Sequence, residues 1–337
     1  NTEQITLMNS KAVKKVTIII PVYNTEQYLS RCLDSIIQQT IIDMIDIVII
    51  DDGSTDSSPD IIREYCRRYD TIQAYTQENK GQAAANNRGI RMSRSEYIGF
   101  ADSDDYLVPD MYKKLLVNAE ENQADLVMCN VMSCLPQDRQ KIRFSSDLFT
   151  PEIVTAADNK TKLLRMLGPW NKLIIKALLD KNNIRFQEEV KIHIDNAFSI
   201  KTILCAEKIS LLNEPLYYYN KTNDTSSTNH KGKRLFSVFP AVNEVERVLT
   251  ASNLPEFRSF FNSYKSNMFI NDYLSIKQKY KTEFLHTMSL NFTRADIPVD
   301  AKLHIKCLLL SLTIKNGIFR QALFVLYETF LTIKQNK

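Results

Sequence analysis

Glycine is scarce: there are seven in 337 residues, beside ten prolines. That excludes collagen-like and low-complexity chains. No stretch approaches the roughly 18 uninterrupted apolar residues of a membrane span. The first fifteen residues, NTEQITLMNSKAVKK, hold no apolar core, so no secretory signal is expected, and the chain opens on Asn1 rather than Met, as a trimmed chain would. None of the six cysteines (Cys32, Cys66, Cys129, Cys134, Cys205, Cys307) forms a CxxC pair, and most stand among apolar neighbours. They are expected to be reduced core residues of a cytosolic protein. Four scattered histidines argue against a His/Cys zinc site. The Asn-x-Thr triplets at Asn159, Asn220, Asn223 and Asn291 are what chance gives an Asn-rich chain.

What is present is ordinary globular material: 44% apolar and 24% charged residues, enough to bury a core. Charge is uneven. Residues 221–337 hold 17 Lys+Arg against 9 Asp+Glu, and the first 220 carry an excess of four acids. The acidic part suits metal and hydroxyl chemistry. The basic part suits phosphate groups or an anionic membrane surface, or is simply a set of solvated helix faces.

The first hundred residues alternate between two periods. Short β-branched runs at Val16–Ile20, Ile45–Ile50, Thr71–Tyr75 and Tyr97–Ala101 predict buried strands. Between them, Glu26–Gln39, Asp56–Tyr69 and Gly81–Met92 carry helical spacing. Such alternation builds βαβ units and a mostly parallel sheet flanked by helices on both sides. Strands apolar without interruption agree with burial on both faces. Beyond 106 the pattern loosens. A helix follows Pro109, a strand is expected at Asp125–Cys129, Leu135–Ser146 is polar, Asp195 opens a helix, and Leu216–Tyr219 reads as a last strand. From 235 to 337 the pattern is helical, after a boundary near 226–234.

Ligands of such sheets collect at the carboxyl ends of the strands. There stand Pro21-Val22-Tyr23-Asn24, Asp51-Asp52-Gly53-Ser54 and Asp102-Ser103-Asp104-Asp105. Three carboxylates in four residues repel one another unless a cation sits between them. Oxygen donors suit Mg²⁺ or Mn²⁺, although an acidic cap for the next helix explains the run as well. Asp52 is placed to accept from a nucleobase or ribose, Tyr23 to stack on a base, and Lys80-Gly81 to meet phosphate. No GxGxxG follows the first strand, which disfavours a dehydrogenase, and no GxxxxGK[ST] occurs, which excludes a P-loop.

The strings VTIIIPVYNTEQYLSRCLDSIIQQT, IVIIDDGSTDSS, ENKGQAAANNRGI and YIGFADSDDYLVPDMY resemble, in order and spacing, the family 2 glycosyltransferases of the GT-A fold. The likeness is close over 16–115 and fades through Trp170-Asn171-Lys172-Leu173 to Tyr217–Tyr219. It implies a Rossmann-like GT-A domain over 15–228, with a donor half at about 15–110 and an acceptor half at about 111–228. It leaves a tail over 1–14 and a helical region over 235–337.

The resemblance also assigns roles. Pro21, Val22, Tyr23, Asn24, Asp52, Gly53, Lys80, Asp102 and Ser103 would hold the nucleotide, with Asp52 taking a uracil N–H. Asp104, with Asp102, would bind Mn²⁺ or Mg²⁺, and Asp105 would orient that shell on the sugar and acceptor side. Asp195 matches the catalytic base, although the glutamate usual before it is Ile194. The family's Ala-Arg-Asn reads Ala85-Asn86-Asn87, and the arginine after its Tyr-x-Tyr strand is replaced by Asn220-Lys221-Thr222. Lys221, His230 or the Lys231–Arg234 cluster are candidates for the missing charge. Trp170 either stacks on a sugar or anchors the core.

The expected reaction is one displacement with inversion, from a UDP-hexose or UDP-N-acetylhexosamine to a hydroxyl of a bacterial surface glycan, capsule or lipopolysaccharide, or of a lipid-linked acceptor. The competing readings are a non-catalytic scaffold and a nucleotidyltransferase. No nucleic-acid partner is expected. The carboxyl-terminal helices pack on the domain, form a homodimer, or rest peripherally on the inner face of the plasma membrane.

Overall fold

The computed structural model describes residues 14–155, 157–223, 231–251, 256–293 and 297. Most of the proposed tail, His230 and the apolar segments beyond 300 lie outside them, as does most of the boundary placed at 226–234.

The first four strands are β1 (Val16–Val22), β2 (Ile45–Asp51), β3 (Ile72–Thr76) and β4 (Tyr97–Phe100), separated by helices α1 (Glu26–Ile37), α2 (Ser58–Arg68) and α3 (Gln82–Met92). They lie parallel in the order β3-β2-β1-β4. Every residue of β1 is buried, as a β-branched strand covered on both faces should be. Alternate residues serve the two layers. Ile18 and Ile20 join Leu29, Cys32, Leu33 and Ile36 of α1 and Ile62 and Tyr65 of α2. Val48 and Ile50 meet Ala85 of α3 on the other face. Alanines and Gly89 let α3 come close: a Cβ on Gly89 would stand 2.3 Å from Ile19 Cγ2.

The sheet continues through β5 (Tyr106–Leu107), β6 (Leu126–Cys134), β7 (Gln140–Ile142), β8 (Ile153–Val154), β9 (Lys172–Ile175) and β10 (Ile209–Asn220). Among the described residues it has ten strands, and the path runs on from β4 as β9-β6-β10-β5. β9 is antiparallel to both β4 and β6, whereas β10 is parallel to β6. α4 (Met111–Asn122) packs beneath this half, and α6 (Lys176–Lys181) follows β9.

The predicted strands and helices of the first hundred residues are all present, and so are the helix after Pro109 and the strand before Cys129. Two segments differ from expectation. The polar run 135–146 contains β7, an exposed arm antiparallel to β6. The stretch after Trp170, given no strand from sequence, is β9. β9 is buried on account of its neighbours rather than of its own length, which is four residues.

The described residues divide into two compact units that do not follow sequence order. The first holds the sheet. The second takes 155–167, 186–204 and the described residues from 231 onward. It is helical: α5 (Ala157–Leu163), α7 (Ile194–Cys205), α8 (Val238–Ala251), α9 (Glu256–Ser275) and α10 (Lys281–Leu290). Phe239 sits with its ring centroid 5.0 Å from those of both Phe269 and Phe284. Asn196 donates to the Tyr264 hydroxyl at 2.8 Å, tying α7 to α9. No helix among the described residues is long and apolar enough to cross a membrane.

The α3–β1 contact yields a test. Gly89→Ala gains about 1 kcal/mol of helix propensity but drives a methyl into a stiff, buried isoleucine, at a cost of about 1–3 kcal/mol. Urea unfolding should show net destabilisation, and an unchanged midpoint would contradict the close approach.

Candidate functional site

Three loops meet at the carboxyl edge of the parallel strands. After β1, Asn24 takes φ 52°, donates its N–H to Ser54 Oγ at 3.1 Å, and accepts the Thr55 N–H at 2.8 Å. Thr25 Oγ1 donates to Ser103 Oγ at 3.0 Å. Asn24 and Thr25 thereby link the loop after β1 to those after β2 and β4. Glu26 and Asp56 bond reciprocally to the backbone N–H groups of Ser57 and Glu26. Pro21 and Val22 end β1, buried, while the ring of Tyr23 is 48% exposed, open to a flat partner.

Asp52 is buried with both carboxylate oxygens engaged. Oδ1 accepts from the Lys80 N–H at 2.9 Å and from Gln77 Nε2 at 2.8 Å, and Oδ2 from the Gly81 N–H at 2.7 Å. Its visible work is to shape the Lys80–Gly81 turn before α3. Gly53 has φ 75°, and a Cβ there would lie 3.1 Å from the Asn79 nitrogen, so the two loops need a glycine at this crossing. Lys80 itself is exposed.

The acidic loop after β4 is built by residues far along the chain. Asp105 is wholly buried. Its Oδ2 accepts from the Tyr217 hydroxyl at 2.7 Å and its Oδ1 from the Asn220 N–H at 2.7 Å. The Tyr217 hydroxyl in turn accepts the Asp102 N–H at 3.1 Å. Asn220 Nδ2 donates to the Asp104 carbonyl at 3.2 Å, and Asn223 Nδ2 to Asp104 Oδ2 at 2.7 Å. Gln82 Nε2 donates to Asp102 Oδ1 at 2.9 Å. Arg31 donates to the Asp104 carbonyl at 3.1 Å, with its guanidinium 4.6 Å from the Tyr106 ring centroid.

Burial pushes the Asp105 carboxyl well above the ordinary carboxylate range. The charge of Asp104 adds to the shift, and the bonds from Asn220 and Tyr217 together with Arg31 oppose it. Burial and the same aspartates push the Cys32 thiol up, under the Asp102 carbonyl.

Asp102 and Asp104 are only half-buried. Among the described residues no three His, Cys, Asp or Glu side chains converge on a ready-made metal cage. Two carboxylates a residue apart, amid amide and hydroxyl groups, fit a hard divalent ion that completes its shell with water and substrate phosphate. Asp105, with no exposure to water, bonds Tyr217 and Asn220 rather than facing an acceptor. Trp170, 4% exposed, stacks on Tyr217 at 4.8 Å and Tyr219 at 5.4 Å. Packed among these rings, it offers little surface to a sugar. Beside it Lys172 is fully buried and bonds the Gly168 carbonyl and Asn171 Oδ1.

Asp195 lies in the second unit, half-buried in the first turn of α7, where a carboxylate suits the helix dipole. His193 precedes it with φ 66° and bonds Asp272 at 3.1 Å. Among the candidate cations, Lys221 is exposed at the end of β10, and Lys233 pairs with Glu283 at 3.7 Å. Asn86, standing where an arginine was expected, is buried, and its Oδ1 has no hydrogen-bond partner among the described residues.

Sequence reading missed Gln82, Arg31, Tyr217, Asn220 and Asn223 as builders of the acidic loop. In the sequence Asn223 stands out only as an Asn-x-Thr triplet, and Asn220 as another and as part of the segment that replaces the family's arginine. No local pattern marks them, because β10 reaches the loop through pairings set by the whole sheet.

Tyr217→Phe removes one donor from a buried carboxylate and one acceptor from the Asp102 N–H. Chemical denaturation should show a loss of about 1.5–3 kcal/mol. A loss under 0.5 kcal/mol would mean that the hydroxyl does not hold the loop.

The sequence profile described as "Glycosyl transferase family 2" matches residues 17–182. EpsH of Bacillus subtilis, which bears the name of a glycosyltransferase, is 32% identical over 257 residues, 74% of this chain and 73% of that protein. The poly(ribitol-phosphate) β-N-acetylglucosaminyltransferase TarS of Staphylococcus aureus is 26% identical over 70% of this chain and 39% of its own length. The chain thus spans much less than the whole of some relatives it matches, and 61% of EpsJ, a second Bacillus subtilis protein. In structure, residues 1–349 of TarS in complex with UDP-GlcNAc superpose with TM-score 0.76 at 19% identity, covering 94% of this chain and 92% of that one. A mannosyltransferase from Pyrobaculum calidifontis, in complex with GDP-Man and Mn²⁺, gives 0.53 at 16% identity over 94% and 86%.

Proposed function

The chain belongs to glycosyl transferase family 2, and from that premise we propose that it moves a hexose or N-acetylhexosamine from a UDP-sugar to a hydroxyl of a bacterial surface glycan. The observation that carries this reading is the braced acidic loop. Asp102 and Asp104 keep half-open carboxylates at the strand ends while Asp105 is locked behind them. The uracil lies on Tyr23, in the base site that Asp52 and Gly53 shape. The diphosphate lies toward Asp102 and Asp104, which would hold Mn²⁺ or Mg²⁺. Such an ion supplies charge neutralisation for the departing nucleoside diphosphate. The Mn²⁺ named with the Pyrobaculum calidifontis enzyme supports this, and the UDP-GlcNAc named with TarS supports the donor class.

The acceptor oxygen attacks the anomeric carbon as Asp195 takes its proton. An aspartate of ordinary basicity serves, because the proton moves as the bond forms. One base and one displacement invert the anomeric centre. Capsule and lipopolysaccharide are acceptors of the right kind, and the poly(ribitol-phosphate) in the name of TarS adds polyol-phosphate polymers. The enzyme works at the cytoplasmic face, where nucleotide sugars are made.

Calorimetry of UDP with and without Mn²⁺, on the wild type and on Asp104→Asn, tests the donor site. Metal-dependent binding should appear in the wild type and vanish in the variant. Absence of UDP binding in both conditions would overturn the donor assignment and leave the non-catalytic scaffold as the alternative. Asp195→Ala should keep UDP binding and lose about 10²–10⁴-fold in transfer rate. An unchanged rate would remove Asp195 from the mechanism.

A further inference from the structure

The β7 arm is not used by the mechanism above, yet it is held in one place. β7 continues the edge of β6 where β9 ends, and the Arg143 N–H donates to the Val131 carbonyl at 2.8 Å. The buried Asn130 fixes the next residue from both sides. Its Oδ1 accepts the Phe144 N–H at 3.2 Å, and its Nδ2 donates to the Phe144 carbonyl at 3.0 Å. Arg143 therefore projects from an anchored backbone. Its guanidinium stands 4.7 Å from the Tyr219 ring centroid and 5.5 Å from that of Trp170.

Two more cations accompany it. Lys141 stands two residues before Arg143, opposite Ser133 of β6, and Lys221, just past β10, donates its N–H to the Cys134 carbonyl at 2.9 Å. Partial desolvation and the charges of Arg143 and Lys141 push Lys221 below the ordinary lysine value. None of the three forms a salt bridge among the described residues, although charged neighbours elsewhere on the sheet domain pair freely. All three are exposed to solvent, so together they present a positive patch to which an anion is drawn. The acidic loop is near enough for Asp102, Asp105 and Asp104, with burial as the larger cause, to raise the Tyr219 hydroxyl to about 12. A stacked guanidinium keeps its N–H edge for a ligand, and that planar fork matches phosphate oxygens.

We propose that Lys141, Arg143 and Lys221 form a phosphate subsite on the aromatic floor of Trp170 and Tyr219, beside the acidic loop. The phosphate belongs either to the donor's diphosphate or to a phosphate-bearing acceptor. Its role in transfer rests on the glycosyltransferase reading, but the binding itself does not.

Trp170 is the single tryptophan of the chain, so its fluorescence reports on the rings of this region. The full chain is titrated with UDP, uridine and sn-glycerol 3-phosphate. At least one phosphate probe should give a saturable, salt-sensitive change that uridine does not give. Arg143→Gln should weaken it by about tenfold or more, as loss of a charged hydrogen-bond donor does. Lys141→Gln, which touches no ring, should weaken it by about threefold. Weakening of UDP alone assigns the site to the donor's diphosphate, and weakening of glycerol phosphate alone assigns it to the acceptor. No saturable change with any phosphate probe, or unaltered affinity in both variants, overturns the subsite. Failure of the transferase reading looks different: the glycerol phosphate response persists in a chain that calorimetry shows not to bind UDP.

Discussion

The Asp105 carboxylate accepts the Tyr217 hydroxyl on one oxygen and the Asn220 N–H on the other, and the acidic loop takes its shape from that pair of bonds. A carboxylate with no exposure to water is tolerable only when its oxygens are bonded. Satisfying it draws the end of β10 against the end of β4. Tyr217 then meets the Asp102 N–H, Asn220 and Asn223 reach Asp104, and Trp170 packs against Tyr217. The two aspartates left half-open are held by a third that is not. Packing and chemistry are divided among neighbours in the sequence: Asp105 secures the fold, while Asp102 and Asp104 face outward.

The edge formed by the first strand ends was legible in the sequence because its signals are local. Uninterrupted apolar runs marked β1, β2 and β4, and helical spacing marked α1 to α3. The rule that ligands gather at strand ends then picked out Tyr23, Asp52 and Asp102–Asp105 without any contact being known. What escaped depends on pairings across more than a hundred residues. β9 is four residues long and apolar only in part, and nothing local distinguishes it from a loop. β7 lies in a polar run, since all three of its residues face solvent. Trp170 was ambiguous because an aromatic beside polar residues serves a core or a sugar equally well. Only its stacking on two tyrosines of β10 decides for the core.

The charges around the site follow the same division. Where the resemblance leads one to expect an arginine on α3, Asn86 is buried and uncharged. Cations instead approach the acidic loop from elements outside that motif. Arg31 comes from α1, braced on Tyr106, and Tyr106 itself stacks on Tyr218 at 4.7 Å. Arg143 comes from the β7 arm, braced on Tyr219. In each case a ring of the β5–β10 region carries the guanidinium. An arginine lying on an aromatic face loses little of its hydration and keeps its hydrogen-bonding edge, so it can stand near carboxylates without collapsing onto them.

The bonds from Tyr217 and Asn220 to Asp105 span 112 and 115 residues of chain. At a synthesis rate of about 5–20 residues per second, the acidic loop leaves the ribosome roughly 6–23 seconds before its clamp exists. For that interval β1 to β4 are complete and the three aspartates are together, but nothing holds Asp105 inside. The nascent chain therefore carries the motif before it carries the loop's final shape, which waits on β10.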